Sequence, residues 1–274
     1  MEDDVLRRLV AFAEGDDNIR AVLVEGSRAF GKVDDYSDYD VVFVARSNEP
    51  YFGGAILPLM REWFGEIVVM QTPDDGDPHD VYTHLIQFSS GSRVDLTFNS
   101  LEFQSCFPSE SATVALVDKD GMFSRLPPPS DRDYWVKRPT ADQFRACCNE
   151  FWWVSTYVAK AVARGQALHA LELLNDPVRR EFARMLTWLA GADTDFSVSV
   201  GHLGGDMAPY VPKAFFDVLL RSYPRAECGE IGDALDGMMR AFPDIAQSVS
   251  GKLGYEYDGG EGERTVEFIE ERLR

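Results

Sequence analysis

Three aspartates and a glycine-serine corner are the residues here whose types and spacing suit phosphate chemistry. Asp38 and Asp40 flank Tyr39 at the opening of one apolar run, and Asp95 sits between Val94 and Leu96 in a later one. Alternate residues of a strand project from one face, so Asp38 and Asp40 can converge on one cation, with Asp95 completing the set from a neighbouring strand. Aspartates are hard oxygen ligands, suited to Mg²⁺ that carries substrate phosphates. A carboxylate between Val94 and Leu96 is costly unless it is paired, exposed or bound to metal. Gly26-Ser27-Arg28 follows another apolar run that ends in Glu25. Glycine lets the backbone approach a triphosphate, turn N–H groups and the Ser27 hydroxyl can bind its oxygens, and Arg28 can add charge. This is not a Walker loop, because G-x-x-x-x-G-K-[ST] is absent. Acid pairs alone are common in so acidic a chain. The informative signal is the order: strand, Gly-Ser, Asp-x-Asp opening a second strand, then an acid inside a hydrophobic strand.

These groups need a sheet to position them. Strand-like runs occupy Ile19–Glu25, Tyr39–Ala45, Glu66–Met70, Val81–Phe88 and Arg93–Phe98, with helices predicted over 2–13 and 55–64. Thr72–Asp80 reads as a solvated hairpin connection. Residues 126–140, with three consecutive prolines, mark a semi-rigid connector. Beyond it the pattern is helical. Thr140 or Asp142 caps a long helix whose stripe includes Cys147, Phe151, Val154, Val158 and Val162. Asp176-Pro177 reads as an N-cap with proline at the first helical position, opening a helix to about Ala190. Further helices are predicted from Val211-Pro212 and over 230–248.

Composition narrows the partners. The net charge is −19, and both halves are acidic. Such a surface repels phosphate backbones and anionic lipid while attracting cationic ligands, which argues against nucleic acid and membrane. No apolar run is long enough to span a bilayer, and the acidic N-terminus is unlike a signal or transit peptide, so a cytoplasmic location is expected. Cys106, Cys147, Cys148 and Cys228 lack C-x-x-C spacing, and the histidines lack ligand spacing, so neither a zinc site nor a disulfide framework is expected.

The constellation resembles the nucleotidyltransferase superfamily typified by DNA polymerase β. Within it, Glu25-Gly-Ser-Arg, Asp38-Tyr-Asp-Val-Val-Phe-Val and Arg93-Val-Asp-Leu-Thr look like the aminoglycoside 6-adenylyltransferases, which modify streptomycin. Glu150-Phe-Trp-Trp-Val-Ser-Thr-Tyr-Val-Ala-Lys160, Arg184-Met-Leu-Thr-Trp188 and Phe196-Ser-Val-Ser-Val-Gly201 extend the likeness through the helical half. The resemblance implies an α+β fold: a polymerase β-like palm, a mixed sheet flanked by helices, over 1–135, and a helical-bundle substrate-binding domain over 136–274. It implies transfer of AMP from ATP to a hydroxyl of streptomycin at the 6-position, release of pyrophosphate, and antibiotic resistance as the consequence. Asp38 and Asp40 would bridge the ions of a two-metal Mg²⁺ site, and Asp95 would be metal ligand, general base, or both. Lys160 is a candidate for the triphosphate. Glu150 and Glu172 are candidates for the guanidinium groups, with Trp152, Trp153 or Trp135 offering cation–π faces; Trp153 is the choice among them. A monomer or weak dimer is expected. The alternatives are another acceptor (a different aminoglycoside, a lincosamide or a protein side chain) and a non-catalytic nucleotide-binding module.

Overall fold

The computed structural model describes residues 4–74, 76–106 and 110–272. The chain divides into two compact units, Met1–Asp133 and Tyr134–Arg274.

In the first unit, helix α1 (Asp4–Gly15) precedes strand β1 (Ile19–Glu25), a four-residue helix α2 (Ser27–Phe30) and strand β2 (Tyr39–Ala45). Helix α3 (Leu57–Phe64), strands β3 (Ile67–Gln71), β4 (Val81–Phe88) and β5 (Arg93–Ser100), helix α4 (Leu101–Cys106) and strand β6 (Thr113–Asp118) follow. The sheet runs β3-β4-β5-β2-β1-β6. Every pairing is antiparallel except that between β2 and β5.

Alternation along the strands divides the sheet into two faces. Val22, Val24, Val41, Phe43, Leu96 and Phe98 join Leu9 of α1 and Met60 and Phe64 of α3 in the larger core. Ala21, Leu23, Val42 and Val44 form a smaller cluster on the other face. The central strands β1 and β2 are therefore buried on both sides and read as near-continuous apolar runs. Asp40 alternates in phase with Val42 and Val44, and Asp95 out of phase with Val94, Leu96 and Phe98. Both acids thus stand on the thinly covered face.

The second unit is helical: α5 (Ala141–Ala163), α6 (Ala167–Leu173), a π-helical turn over Leu174–Arg179, α7 (Arg180–Asp193), α8 (Lys213–Arg221), α9 (Cys228–Leu253) and α10 (Gly259–Arg272). Thr140 opens α5 with a reciprocal capping box. The Gln143 N–H donates to Thr140 Oγ1 at 3.2 Å, and Gln143 Oε1 accepts the Thr140 N–H at 2.8 Å. At the centre, the Phe151 ring of α5 stacks on Phe242 of α9 with centroids 3.9 Å apart. Truncating either ring to alanine would cost about 3–5 kcal/mol. Cys147 and Cys148 of α5 are both buried and free.

Two expectations need correction. Asp176-Pro177 does not open a regular α-helix: Asp176 is extended (φ −146°, ψ 116°), the segment through Arg179 is π-helical, and α7 begins at Arg180. The strand reading also omits β6, which pairs with β1 at the sheet edge.

Candidate active site

Strand pairing brings the acids together. In the parallel β2–β5 ladder Asp40 is the direct register partner of Asp95. Paired residues on adjacent strands project from the same face with backbones about 4.8 Å apart. Asp38 immediately precedes β2, two residues before Asp40.

A cation already lies among them. Arg93, two residues before Asp95 on the same strand face, donates from Nε to Asp95 Oδ1 at 3.0 Å and from Nη2 to Oδ2 at 2.7 Å. Its Nη1 lies 3.2 Å from Asp38 Oδ2. This two-pronged grip is the strong form of an arginine–carboxylate pair, and it spans two of the three aspartates. No three acidic, histidine or cysteine side chains among the described residues are arranged to hold a metal ion.

Asp40 receives no such help; among the described residues its carboxylate makes no hydrogen bond or ion pair. Burial, then the charges of Asp95 and Asp38, push its carboxyl up to about 6, against a smaller opposing pull from Arg93. Burial likewise raises Asp38, with Arg93 opposing. Glu25, at the end of β1, is raised first by burial, then by Glu110, and to a lesser degree by Asp40. Its Oε1 accepts the Thr113 hydroxyl at 3.3 Å. The site thus holds acids whose charges repel and whose neutralisation by Arg93 is partial. Carboxylate oxygens are the donor type magnesium takes, but Arg93 occupies Asp95 and Asp38 in this arrangement.

The glycine-serine corner abuts this cluster. Gly26 adopts φ +66°, and a β-carbon there would lie 2.8 Å from Asp40 Oδ2. Ser27 begins α2, and its carbonyl accepts the Lys32 N–H at 3.0 Å. Arg28 turns toward the chain. Its Nε donates to the Asp38 carbonyl and its Nη2 to that of Ser37, each at 2.8 Å, while the guanidinium lies 3.5 Å from the centre of the Tyr39 ring. It clamps the entry into β2 and so fixes where Asp38 and Asp40 leave the backbone.

The remaining candidates lie in the helical unit. Glu150, Trp153 and Lys160 recur at helical spacing along α5. Trp153 is 57% exposed, whereas its neighbour Trp152 is buried in the core. The Trp153 ring meets Tyr157 edge-on at 5.6 Å, and Lys160 Nζ lies 5.3 Å from the centre of the Tyr157 ring. Glu172 is exposed on α6. Arg93 and Glu25 carry no role in the sequence reading. Arg93 could have been found, since residues two apart on a strand share a face.

The streptomycin adenylyltransferase family profile matches residues 1–272. The chain belongs to that family. It is 33% identical over 265 residues to the aminoglycoside 6-adenylyltransferase of Bacillus subtilis (strain 168), covering 93% of this chain and 92% of that protein. The protein of the same name from Campylobacter jejuni is 31% identical over 266 residues, with 93% and 90% covered. That from Staphylococcus aureus is 34% identical over 234 residues, with 81% of each covered. As a member of the streptomycin adenylyltransferase family, the chain is a nucleotidyltransferase enzyme with an α+β fold. Among the described residues no helix is long and apolar enough to cross a membrane.

Proposed function

We propose that this enzyme transfers AMP from ATP·Mg²⁺ to a hydroxyl of an aminoglycoside, with the 6-position of streptomycin as acceptor, releasing pyrophosphate and inactivating the antibiotic in the cytoplasm. The observation that carries the reading is the register pairing of Asp40 with Asp95 across two parallel strands, with Asp38 at the same strand end.

In this reading Asp38, Asp40 and Asp95 hold magnesium. Bound there, it would neutralise charge on the phosphates and make the acceptor hydroxyl easier to deprotonate. Gly26 leaves room for the triphosphate to come close to the backbone, and Ser27 offers a hydroxyl to its oxygens. Arg28 keeps Asp38 and Asp40 aimed by holding the backbone just before β2. Asp95 would serve as metal ligand, general base, or both. Arg93 must then release at least one carboxylate, and its guanidinium becomes available to an anionic group. Lys160 is the further candidate for the triphosphate, and Glu150, Trp153 and Glu172 for the cationic groups of the acceptor. The −19 net charge favours such an acceptor and disfavours a nucleic-acid strand.

The test is pyrophosphate release from ATP and Mg²⁺ with single acceptors: streptomycin, a 2-deoxystreptamine aminoglycoside, a lincosamide and buffer alone. Release with streptomycin, and mass spectrometry showing an AMP adduct on it, is the expected result. Saturable ATP binding with no turnover on any acceptor would sink the catalytic reading in favour of a nucleotide-binding module.

A further inference from the structure

Arg93 stands where the proposed reaction needs a divalent ion. Its Nε and Nη2 donate to the two oxygens of Asp95 at 3.0 and 2.7 Å, and its Nη1 lies 3.2 Å from Asp38 Oδ2. All of its guanidinium nitrogens are therefore turned to carboxylates. Among the described residues no trio of acidic, histidine or cysteine side chains is arranged as a metal site. Asp38 and Asp95 are gathered around an internal cation. One guanidinium facing three carboxylates leaves an excess of negative charge, which a divalent ion answers more fully. An ion held by Asp38, Asp40 and Asp95 would take oxygens that Arg93 now grips, and like charges at that range repel. The two cations exclude each other.

A second observation concerns where Arg93 can go. Its side chain is 44% exposed, so core packing does not hold it in place. Strand β2 lies between β1 and β5. Gly26 closes on Asp40 from the β1 side, with a β-carbon there 2.8 Å from Asp40 Oδ2. Arg93 closes on Asp38 and Asp95 from β5. The glycine-serine corner and Arg93 thus flank the aspartates from opposite sides, on backbones two strand spacings or about 10 Å apart. A phosphate chain anchored at the corner and lying over the aspartates would run toward Arg93. Neighbouring cations are engaged elsewhere: Arg28 donates to the Ser37 and Asp38 carbonyls, and Lys32 Nζ to Asp131 Oδ2 at 3.1 Å.

We infer that Arg93 is a phosphate ligand of the nucleotide and that it exchanges partners to become one. Without a divalent ion it holds Asp38 and Asp95; once an ion takes those carboxylates, it grips the triphosphate. A guanidinium offers phosphate the same two-pronged contact that it now gives Asp95. The identity of the anion rests on the proposed nucleotidyl transfer, whereas the exclusion of one cation by the other rests on the contacts alone. Arg93 thereby couples metal binding to nucleotide binding, beyond the chelation of magnesium by ATP itself, and such coupling is reciprocal.

Two constants test this on the full chain, with no acceptor present. Mn²⁺ alone is titrated by the loss of its free-ion signal in electron paramagnetic resonance. The non-transferable analogue α,β-methylene-ATP is titrated calorimetrically in saturating Mg²⁺. Arg93→Met should move the two in opposite directions, with Mn²⁺ bound at least about threefold tighter and the nucleotide at least about tenfold weaker. Arg93→Lys should recover part of the nucleotide affinity, since it keeps the charge and loses the fork. A merely structural loss would weaken both. Should Arg93→Met not fold, Arg93→Lys carries the test, with smaller shifts of the same sign. Weaker Mn²⁺ binding would mean that Arg93 orients the carboxylates for the ion, and an unchanged nucleotide Kd that it never reaches phosphate; either result overturns the inference. Opposite shifts in a chain that adenylylates no acceptor would leave this inference standing and the functional reading lost. Streptomycin adenylylation by the wild type, with both constants weakened together in the variant, would do the reverse.

Discussion

A β-carbon on Gly26 would sit 2.8 Å from Asp40 Oδ2, so the bend after β1 and the carboxylate on β2 are fitted to each other. Gly26→Ala must either displace Asp40 or distort a backbone held at φ +66°. The backbone strain is worth about 1–2 kcal/mol, too little to unfold a domain of this size. The expected outcome is a folded protein that has lost at least about a hundredfold in kcat. Melting and steady-state adenylylation check it together, and a near-normal kcat would show that Asp40 has room to spare.

Asp95→Asn should abolish turnover and leave the fold intact, since the amide keeps the shape but not the charge. Asp40→Asn should do the same. The two differ in what they release: losing the Asp95 charge weakens the grip on Arg93, whereas losing the Asp40 charge removes repulsion. Asp40→Asn is therefore the more stable variant without divalent metal, by about 1 kcal/mol or more. Chemical denaturation in EDTA gives the comparison, and the opposite order would refute the electrostatic account of the site.

Asp40 also gives stability a pH dependence. Its carboxyl is raised from 3.8 to about 6, so the folded state holds that proton more tightly than the unfolded chain. Its contribution is complete below about pH 4 and is lost as the pH climbs through about 6. Solvent screening keeps it to about 1–2 kcal/mol. The stability of the wild type relative to Asp40→Asn in EDTA should therefore be greatest at the acid end and fall as the pH rises from about 4 to about 7. Mg²⁺ favours the carboxylate and should flatten that change; a pH-independent difference in EDTA would contradict the shift.

Arg93→Met removes the guanidinium that joins Asp38 and Asp95. The variant should lose about 1–3 kcal/mol of stability in EDTA, because two carboxylates lose their shared partner. Added Mn²⁺ should raise its melting temperature more than it raises that of the wild type, since no internal cation competes. Arg93→Lys should fall between, as an ammonium cannot make the two-pronged contact. An equal Mn²⁺ response in all three proteins would rule out competition.

Local pattern makes much of the first unit legible. Ile19–Glu25, Tyr39–Ala45 and Val81–Phe88 are largely apolar runs flanked by polar or glycine residues, and they coincide with strands in the structure. Strand β6 escapes such a reading, because Thr113–Asp118 is short, lies at an edge and is mostly half-buried. The Asp176-Pro177 signal is local chemistry overridden by packing: Val178 and Arg179 are buried, and Arg179 Nε donates to the Ser222 hydroxyl at 2.9 Å. A neighbouring strand for Asp95 is expected from the acid spacing, but the direct Asp40–Asp95 register of the parallel β2–β5 pair is not legible, since register is a property of two segments distant in sequence. The grip of Arg93 on Asp38 depends on that pairing.

That single parallel ladder separates catalytic geometry from the length of chain that creates it. Everything between Ala45 and Arg93 departs from one end of the pair and returns to the other before β5 begins. The span between the Asp40 and Asp95 backbones is set by hydrogen bonds across the ladder, not by the intervening hairpin and helix. The connection from β3 to β4 could therefore be lengthened, shortened or exchanged for another turn, and the carboxylates would keep their separation.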